Sequence, residues 1–236
     1  MEHIVLPESI ERPLSFYLAM EEHVAAAYGC GFFVWRVSPT VIIGRNQNLE
    51  TEVNLPFCRE HGINVVRRKS GGGCVYADRG NIMLSYITTR KGVEAVFGEF
   101  MEQFAEALRG LGLPAVRTEH NDILVNGCKV SGNAFFSLPG GSIVHGTLLH
   151  SVNFNMLAEA ITPTEAKLAK HGVKSVRQRV SNLTDLGIGL SVEELADYLT
   201  DAFCSGNRLL GASDIDRIKD IEKSYIDPDF VFGKAL

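Results

Sequence analysis

Asp122-Ile123-Leu124-Val125-Asn126-Gly127-Cys128-Lys129-Val130-Ser131-Gly132-Asn133-Ala134-Phe135-Phe136 is the stretch on which the fold turns. Two strand-forming runs, 122–125 and 129–136, flank Asn126-Gly127, the strongest short signal for a two-residue hairpin. Residues Ser142 to His150 follow Pro139-Gly140-Gly141 as a further strand. Upstream, Cys74 to Ala77 and Ile82 to Thr88 read as strands around a turn at Asp78-Arg79-Gly80-Asn81, and Ile63 to Val66 as another. Phe32 to Val37 and Thr40 to Ile43 are β-branched and aromatic, and Ser38-Pro39 between them predicts one more hairpin. Strands thus cluster between residues 32 and 150 with short links, which predicts a mixed, largely antiparallel sheet in an α+β fold.

Helices are expected to flank that sheet. Pro13 opens one that Gly29 closes after Tyr28, while a weaker one over Glu50–His61 is interrupted by Pro56. Val93 to Leu111 is strongly amphipathic, with Val96, Phe100, Phe104, Ala107, Leu108 and Leu111 on one stripe. Ser191 and Glu194 form a capping box ahead of Leu195, Tyr198 and Leu199, and Ser213 is expected to cap a final helix through about Lys223. No repeat or linker marks a boundary, so the 236 residues are expected to share a single domain.

Composition narrows the function classes. Lys+Arg 23 against Asp+Glu 28 gives a net charge of −5, which argues against a nucleic-acid partner. No apolar run approaches the roughly 18 residues of a membrane span. The start, Met1-Glu2-His3-Ile4, lacks the basic and apolar regions of a secretory leader. The five cysteines are scattered without a Cys-x-x-Cys pair, which suits a reducing compartment. A cytoplasmic enzyme is the expectation.

Two constellations could carry chemistry. Arg67-Arg68-Lys69-Ser70-Gly71-Gly72-Gly73-Cys74-Val75 places three glycines beside three cations between two strands. Such a loop lets backbone N–H groups approach an anion closely, although a wide turn with solvated cations has the same composition. Its spacing fits neither a Walker loop nor a dinucleotide fingerprint, since Tyr76 stands where the latter needs glycine. The second constellation is Asp122 with Lys129-Val130-Ser131-Gly132-Asn133-Ala134. Regular alternation would put Lys129, Ser131 and Asn133 on one face, opposite Val130, Gly132 and Ala134. A lysine there can act as a point charge on a carboxylate or phosphate, or simply sit exposed on an edge.

In order along the chain, Arg68-x-Ser-Gly-Gly-Gly, Asp78-x-Gly-Asn, Asn121-Asp122, Lys129-Val-Ser-Gly-x-Ala and His145-Gly-Thr-Leu-Leu together resemble the lipoate–protein ligase A family. Ile43-Gly44-Arg45-Asn46-Gln47-Asn48 and the segment from Ser175-Val176-Arg177 to Thr184 extend the resemblance on either side. It implies the fold of biotin protein ligases and class II synthetase cores. It also implies a two-step reaction: ATP activates lipoate to lipoyl-AMP, and the acyl group then passes to a lysine of a lipoyl-accepting domain. Such domains occur in 2-oxoacid dehydrogenases and the glycine cleavage H protein. By motif, Lys129 would be catalytic, at the junction of lipoyl carboxyl and α-phosphate. Arg68, Gly71, Gly72, Gly73, Cys74, Val75, Tyr76, Asn81, Asp122, Gly132 and Ala134 would bind ATP or lipoyl-AMP. Asp122 would also serve Mg²⁺, while Val66 and His145 would line the lipoyl pocket.

Two departures from the family matter. Larger members carry a small C-terminal accessory domain that is expected to be absent here, or supplied as a separate polypeptide. Cys74 and Cys128 fall within the two motifs, and related octanoyl- and lipoyl-transferases use a cysteine as acyl carrier. Those transferases place it in an Asn-Pro-Cys-Gly-like context after the sheet, where this chain has Ile161-Thr162-Pro163-Thr164-Glu165. The alternatives are therefore a transferase using a preformed acyl donor, or a module that binds lipoyl-adenylate without turnover. The seven histidines show no His-x-x-x-His pair, so no catalytic zinc site is expected.

Overall fold

Residues 1–161 and 180–233 are described by a computed structural model. Strand β1 (Glu2–Val5) precedes helix α1 (Leu14–Ala27), β2 (Gly31–Trp35), β3 (Thr40–Ile43), α2 (Leu49–Glu52), α3 (Leu55–Glu60), β4 (Asn64–Arg67), β5 (Val75–Ala77) and β6 (Asn81–Thr88). Helix α4 (Val93–Gly110), β7 (Ala115–Arg117), β8 (Asp122–Val125), β9 (Cys128–Leu138), β10 (Gly141–Leu149) and α5 (Phe154–Ala160) follow. After residue 180 come α6 (Val192–Phe203), β11 (Gly206–Leu209), α7 (Ala212–Ile226) and α8 (Pro228–Phe232).

The described strands form an eight-stranded sheet, ordered β11-β1-β2-β6-β10-β9-β8-β7, and a three-stranded sheet, β4-β3-β5. Strand β1 pairs in parallel with both β11 and β2, and every other pairing in the large sheet is antiparallel. The α+β, largely antiparallel expectation holds. At the hairpin, Asn126 has φ 51° and Gly127 φ 79°. Both are in the left-handed region that a two-residue turn of this hand requires, and Asn and Gly tolerate it best.

The expected hairpin at Ser38-Pro39 does not form. Strand β2 joins the large sheet, with Phe32 opposite Tyr86, whereas β3 pairs with β4 and β5 in the small one. Ser-Pro turns the chain but lacks the positive φ angles that would fold β3 back onto β2. The turn at Asp78–Asn81 is likewise a corner, carrying the chain from β5 in the small sheet to β6 in the large one. Asp78 holds it by accepting the Gly80 N–H at 2.9 Å.

Alternation along the central strands divides the core. Phe32, Ile82, Leu84, Val144 and Leu148 face α4 and α6, with Phe100, Phe104, Leu195 and Leu199. Phe33, Trp35, Met83, Ile87 and Ile143 face α1, with Leu14, Leu18 and, from the small sheet, Ile42. Helix α1 starts after Pro13 and ends at Gly29, whose φ of 74° marks the left-handed cap. Pro56 separates α2 from α3 as a first-turn residue of the latter. Helix α6 has the expected capping box, whereas the cap of α7 lies two residues before Ser213, at Gly211: the Asp214 carboxylate accepts the Gly211 N–H at 2.7 Å.

Arg67, on β4, joins the C-terminal helix to the site. Its guanidinium is buried and donates to Phe230 O (2.9 Å) and Val231 O (3.1 Å) at the end of α8. It also donates to Gly44 O (3.0 Å), Arg45 O (3.1 Å) and Gln47 O (2.8 Å) in the turn after β3. Five carbonyls thus share one cation. Arg67→Met should strand them and lower stability by about 2–4 kcal/mol. Thermal unfolding should show Tm falling by roughly 5–15 °C; an unchanged Tm would mean the carbonyls find other donors.

Candidate active site

A cavity of about 430 Å³ lies between the large sheet, the small sheet and α1. Strand register explains its composition. Trp35 on β2 stands opposite Met83 on β6, Met83 opposite Thr147 on β10, Thr147 opposite Gly132 on β9, and Gly132 opposite Asp122 on β8. All five line the cavity. Four strand spacings of about 4.8 Å put roughly 19 Å between Trp35 and Asp122. The Trp35 end is apolar, with Leu14, Leu18, Ile42 and Met83, and the far end carries Asp122, Lys129, Asn121 and His120.

Lys129 reaches this row because of a β-bulge. Ile123 pairs with Ser131 but Leu124 pairs with Lys129, so Val130 is the extra residue. Val130 then turns into the α4 core, and Lys129 shares its face with Gly132 and Ala134 rather than with Ser131 and Asn133. This corrects the alternation expected from sequence. A Cβ on Gly132 would lie 2.6 Å from Lys129 Nζ, so the missing side chain is where the lysine lies. Lys129 Nζ is 2.7 Å from Asp122 Oδ1, in a pair whose carboxylate is almost fully buried.

The glycine loop closes the cavity's side. Arg68 does not project freely from it: its Nη2 donates to Gly71 O (2.7 Å) and Gly73 O (2.8 Å), and its Nη1 to Ile42 O (3.2 Å). Burial pushes its pKa down to about 10, so the guanidinium remains charged at neutral pH. The loop also meets the turn after β3. Arg45 N donates to Ser70 O at 3.0 Å, and a Cβ on Gly44 would come within 2.2 Å of Gly72 O. That contact explains the glycine at position 44.

Of the residues singled out from sequence, Arg68, Gly72, Gly73, Cys74, Val75, Asp122, Lys129, Gly132, Ala134 and His145 line the cavity together. Gly71, Val66, Tyr76 and Asn81 are not among its lining. Tyr76 is buried in a third core with Val41 and Ile43, and Val66 packs beside the α1 core. Asn81 is fully buried at the start of β6, donating toward Tyr76 O. Cys128, beside the hairpin turn, is not a lining residue either. The segment 175–179 and most of 161–165 lie outside the described residues.

Trp35, Leu14, Leu18 and Met83 were not singled out from sequence, since apolar strand and helix residues read as plain core, and Thr147 stood in the His145-Gly-Thr-Leu-Leu motif without a site role. Glu21 was also missed. It continues the Leu14-Leu18 stripe of α1 one turn on, and a carboxylate on an otherwise apolar stripe is a signal. His145 Nδ1 lies 2.9 Å from Glu21 Oε2 and its Nε2 2.7 Å from Ser70 Oγ. These three groups have the connectivity of a hydrolytic triad, but Ser70 is 2% exposed and is not a lining residue, so it does not present a nucleophile.

A cation at one end of an apolar trough, with a glycine loop along its side, defines a site for a ligand with an anionic head and an apolar tail. The model of the lipoyl protein ligase A/B catalytic domain matches residues 13–204, and the chain belongs to this family. Lipoate–protein ligase 1 of Staphylococcus aureus is 40% identical over 182 residues, 75% of this chain and 56% of that protein. Lipoate-protein ligase LplJ of Bacillus subtilis is 36% identical over 207 residues, 84% of this chain and 62% of that protein. The chain therefore spans about three fifths of these relatives' length. A structure from the Thermoplasma acidophilum lipoylation system superposes with TM-score 0.86 at 26% identity, covering 100% of this chain and 98% of that one. A lipoate-protein ligase A bound with ATP shares the fold, with TM-score 0.85 at 24% identity and full coverage of both chains.

Gly132→Ala tests the geometry directly. The added methyl meets only the flexible end of Lys129, so the fold should tolerate it while the ammonium is displaced. Binding of an acyl-adenylate, followed by calorimetry, should weaken about 10- to 100-fold, as for loss of one charge-assisted contact. Unchanged affinity would remove Lys129 from ligand recognition.

Proposed function

We propose that this chain is the catalytic part of an ATP-dependent lipoate–protein ligase, and that the cross-sheet row from Trp35 to Asp122 is its acyl–phosphate axis. The observation that carries the reading is the juxtaposition of Lys129 with Gly132, opposite the apolar end of the same trough. The dithiolane tail would lie over Trp35, Met83 and Leu18, where burying it removes apolar surface from water. The carboxylate would then reach Lys129. Attack of its oxygen on the α-phosphorus of ATP forms lipoyl-AMP as the bond to the bridging oxygen breaks and pyrophosphate leaves.

Two anions meet in that step, so positioning and charge stabilisation dominate. Lys129 would hold the carboxylate against the α-phosphate, and Gly72 and Gly73 would let backbone approach the phosphates. Among the described residues no group of three or more His, Cys, Asp or Glu could hold a metal ion. Asp122 suits the usual Mg²⁺ arrangement of one or two carboxylates plus substrate phosphates. Mg²⁺ would arrive on the nucleotide and take up pyrophosphate charge. In the second half-reaction the neutral amine of an acceptor lysine attacks the acyl carbonyl, the bond to AMP breaks, and the amine proton is lost. Lipoyl-accepting domains are the proposed partners.

Lys129→Met should reduce lipoylation of an acceptor domain by about 10²–10³, the usual loss for one preorganised charge-stabilising donor. Asp122→Asn in the same chain removes the carboxylate that the variant strands. Near wild-type turnover by either form would exclude Lys129 from the mechanism.

We also propose that a separate accessory polypeptide completes adenylate formation. One observation supports this: the similar Thermoplasma acidophilum structure comes from a bi-partite lipoate protein ligase. Closure over the triphosphate matters most for the first step, because excluding water strengthens every charge interaction there. The 236-residue chain alone should transfer lipoate from supplied lipoyl-AMP while catalysing little lipoate-dependent ATP–pyrophosphate exchange. Fast exchange by the isolated chain would show that it needs no partner.

A further inference from the structure

A chain of hydrogen bonds runs from the sheet core to the glycine loop, and both of its ends are groups that can only donate. At one end Trp35 Nε1–H donates to Ser85 Oγ at 2.9 Å, and Ser85 Oγ–H donates to Glu21 Oε1 at 2.6 Å. At the other end Arg68 Nε–H donates to Ser70 Oγ at 3.1 Å. Between them His145 links Glu21 Oε2, at 2.9 Å from Nδ1, to Ser70 Oγ, at 2.7 Å from Nε2. Glu21, Ser70 and Ser85 are all buried, at 2%, 2% and 0% exposure.

Donor inventory decides the direction of every bond. Ser70 Oγ can accept twice but donate once, and His145 Nε2 is the acceptor beside its proton; an Nε2–H there would leave that proton unpaired in a buried site. Nε2 is then an acceptor, and the ring proton sits on Nδ1, aimed at the Glu21 carboxylate. Glu21 then accepts from both sides. Arg68 in turn holds Gly71 O and Gly73 O. The far end of the chain is therefore the backbone of the loop that faces the cavity.

We propose that Glu21 is a positioning residue for the glycine loop. By holding His145 as the neutral Nδ1–H tautomer, it keeps Nε2 available to Ser70, and Ser70 with Arg68 places Gly72 and Gly73 against the ligand. The inference rests on the cavity being the ligase site, but its primary readouts do not involve substrate. An amide at position 21 cannot substitute. If its oxygen accepts from His145, its NH₂ faces Ser85 Oγ, already an acceptor for Trp35, and the Ser85 proton loses its partner. If its NH₂ faces His145 instead, the ring proton moves to Nε2 and the buried Ser70 proton loses its acceptor.

The experiment compares wild type, Glu21→Gln, Ser70→Ala and the double variant. Nitrogen NMR of ¹⁵N-histidine-labelled protein reads the His145 tautomer, and amide exchange reads protection of residues 70–73. Wild type should show Nδ1–H. Glu21→Gln should shift His145 toward Nε2–H and speed loop exchange about tenfold, the loss of roughly one hydrogen bond. Ser70→Ala leaves the Glu21–His145 pair intact and should speed exchange equally, and the double variant should add nothing further. In lipoylation assays both single variants should raise KM for the adenylate while changing kcat less. An Nε2–H or doubly protonated ring in wild type, unchanged loop exchange in both variants, or additive effects in the double variant would each overturn the proposal. Should Glu21→Gln fail to fold, Ser70→Ala and the wild-type tautomer still decide it. Absence of lipoylation in every form, wild type included, would instead count against the ligase reading alone.

Discussion

Two consecutive guanidinium groups, Arg67 and Arg68, sit buried at the end of one short strand, and the site depends on how they are satisfied. Desolvating a guanidinium is costly, and carbonyl oxygens in number are one way to offset it. Arg67 collects carbonyls from the turn after β3 and from the last turn of α8, where a cation is also favoured by the helix dipole. Arg68 collects those of the glycine loop and of β3. Between them the two arginines tie the turn, the loop and the C-terminal helix to the end of β4. Gly44 lets the turn and the loop touch.

The large sheet supplies the other half of the site by simple geometry. A row of opposed residues crossing five strands changes character from Trp35 and Met83 to Thr147, Gly132 and Asp122. The apolar and the charged ends of the cavity then lie on one face of the large sheet. The single irregularity, the bulge at Val130, is what turns Lys129 onto that surface. Bulges re-aim side chains beside functional sites, and here the re-aimed chain is the cation paired with Asp122 in the cavity. Beneath the row, Glu21, His145 and Ser70 link helix α1, the sheet and the loop, so that the pocket floor and the glycine loop share one hydrogen-bond chain.

Much of this was legible in the amino-acid order because the signals are local. Asn126-Gly127 specifies a tight hairpin through positive φ angles, Pro13 and Gly29 bracket α1, and Ser191 with Glu194 caps α6, each within a few residues. Three glycines beside Arg67, Arg68 and Lys69, followed by Asp122 and Lys129, marked the chemistry and the family. Pairing partners were not legible. Ser38-Pro39 announces a turn but not which sheet receives β3, because that choice depends on burial against Val65 and Tyr76, distant in sequence. Strict period-two reading put Lys129 on the wrong face, since a bulge exists only relative to the opposite strand. Arg68 read as a ligand-facing cation, and only its burial among loop carbonyls reveals its role in the loop itself. Residue types and their spacing thus determined which charged, apolar and glycine positions this protein has to place around a cavity. The tertiary structure decided which of them face one cavity, because register, bulge and burial arise from contacts between segments that the chain brings together only on folding.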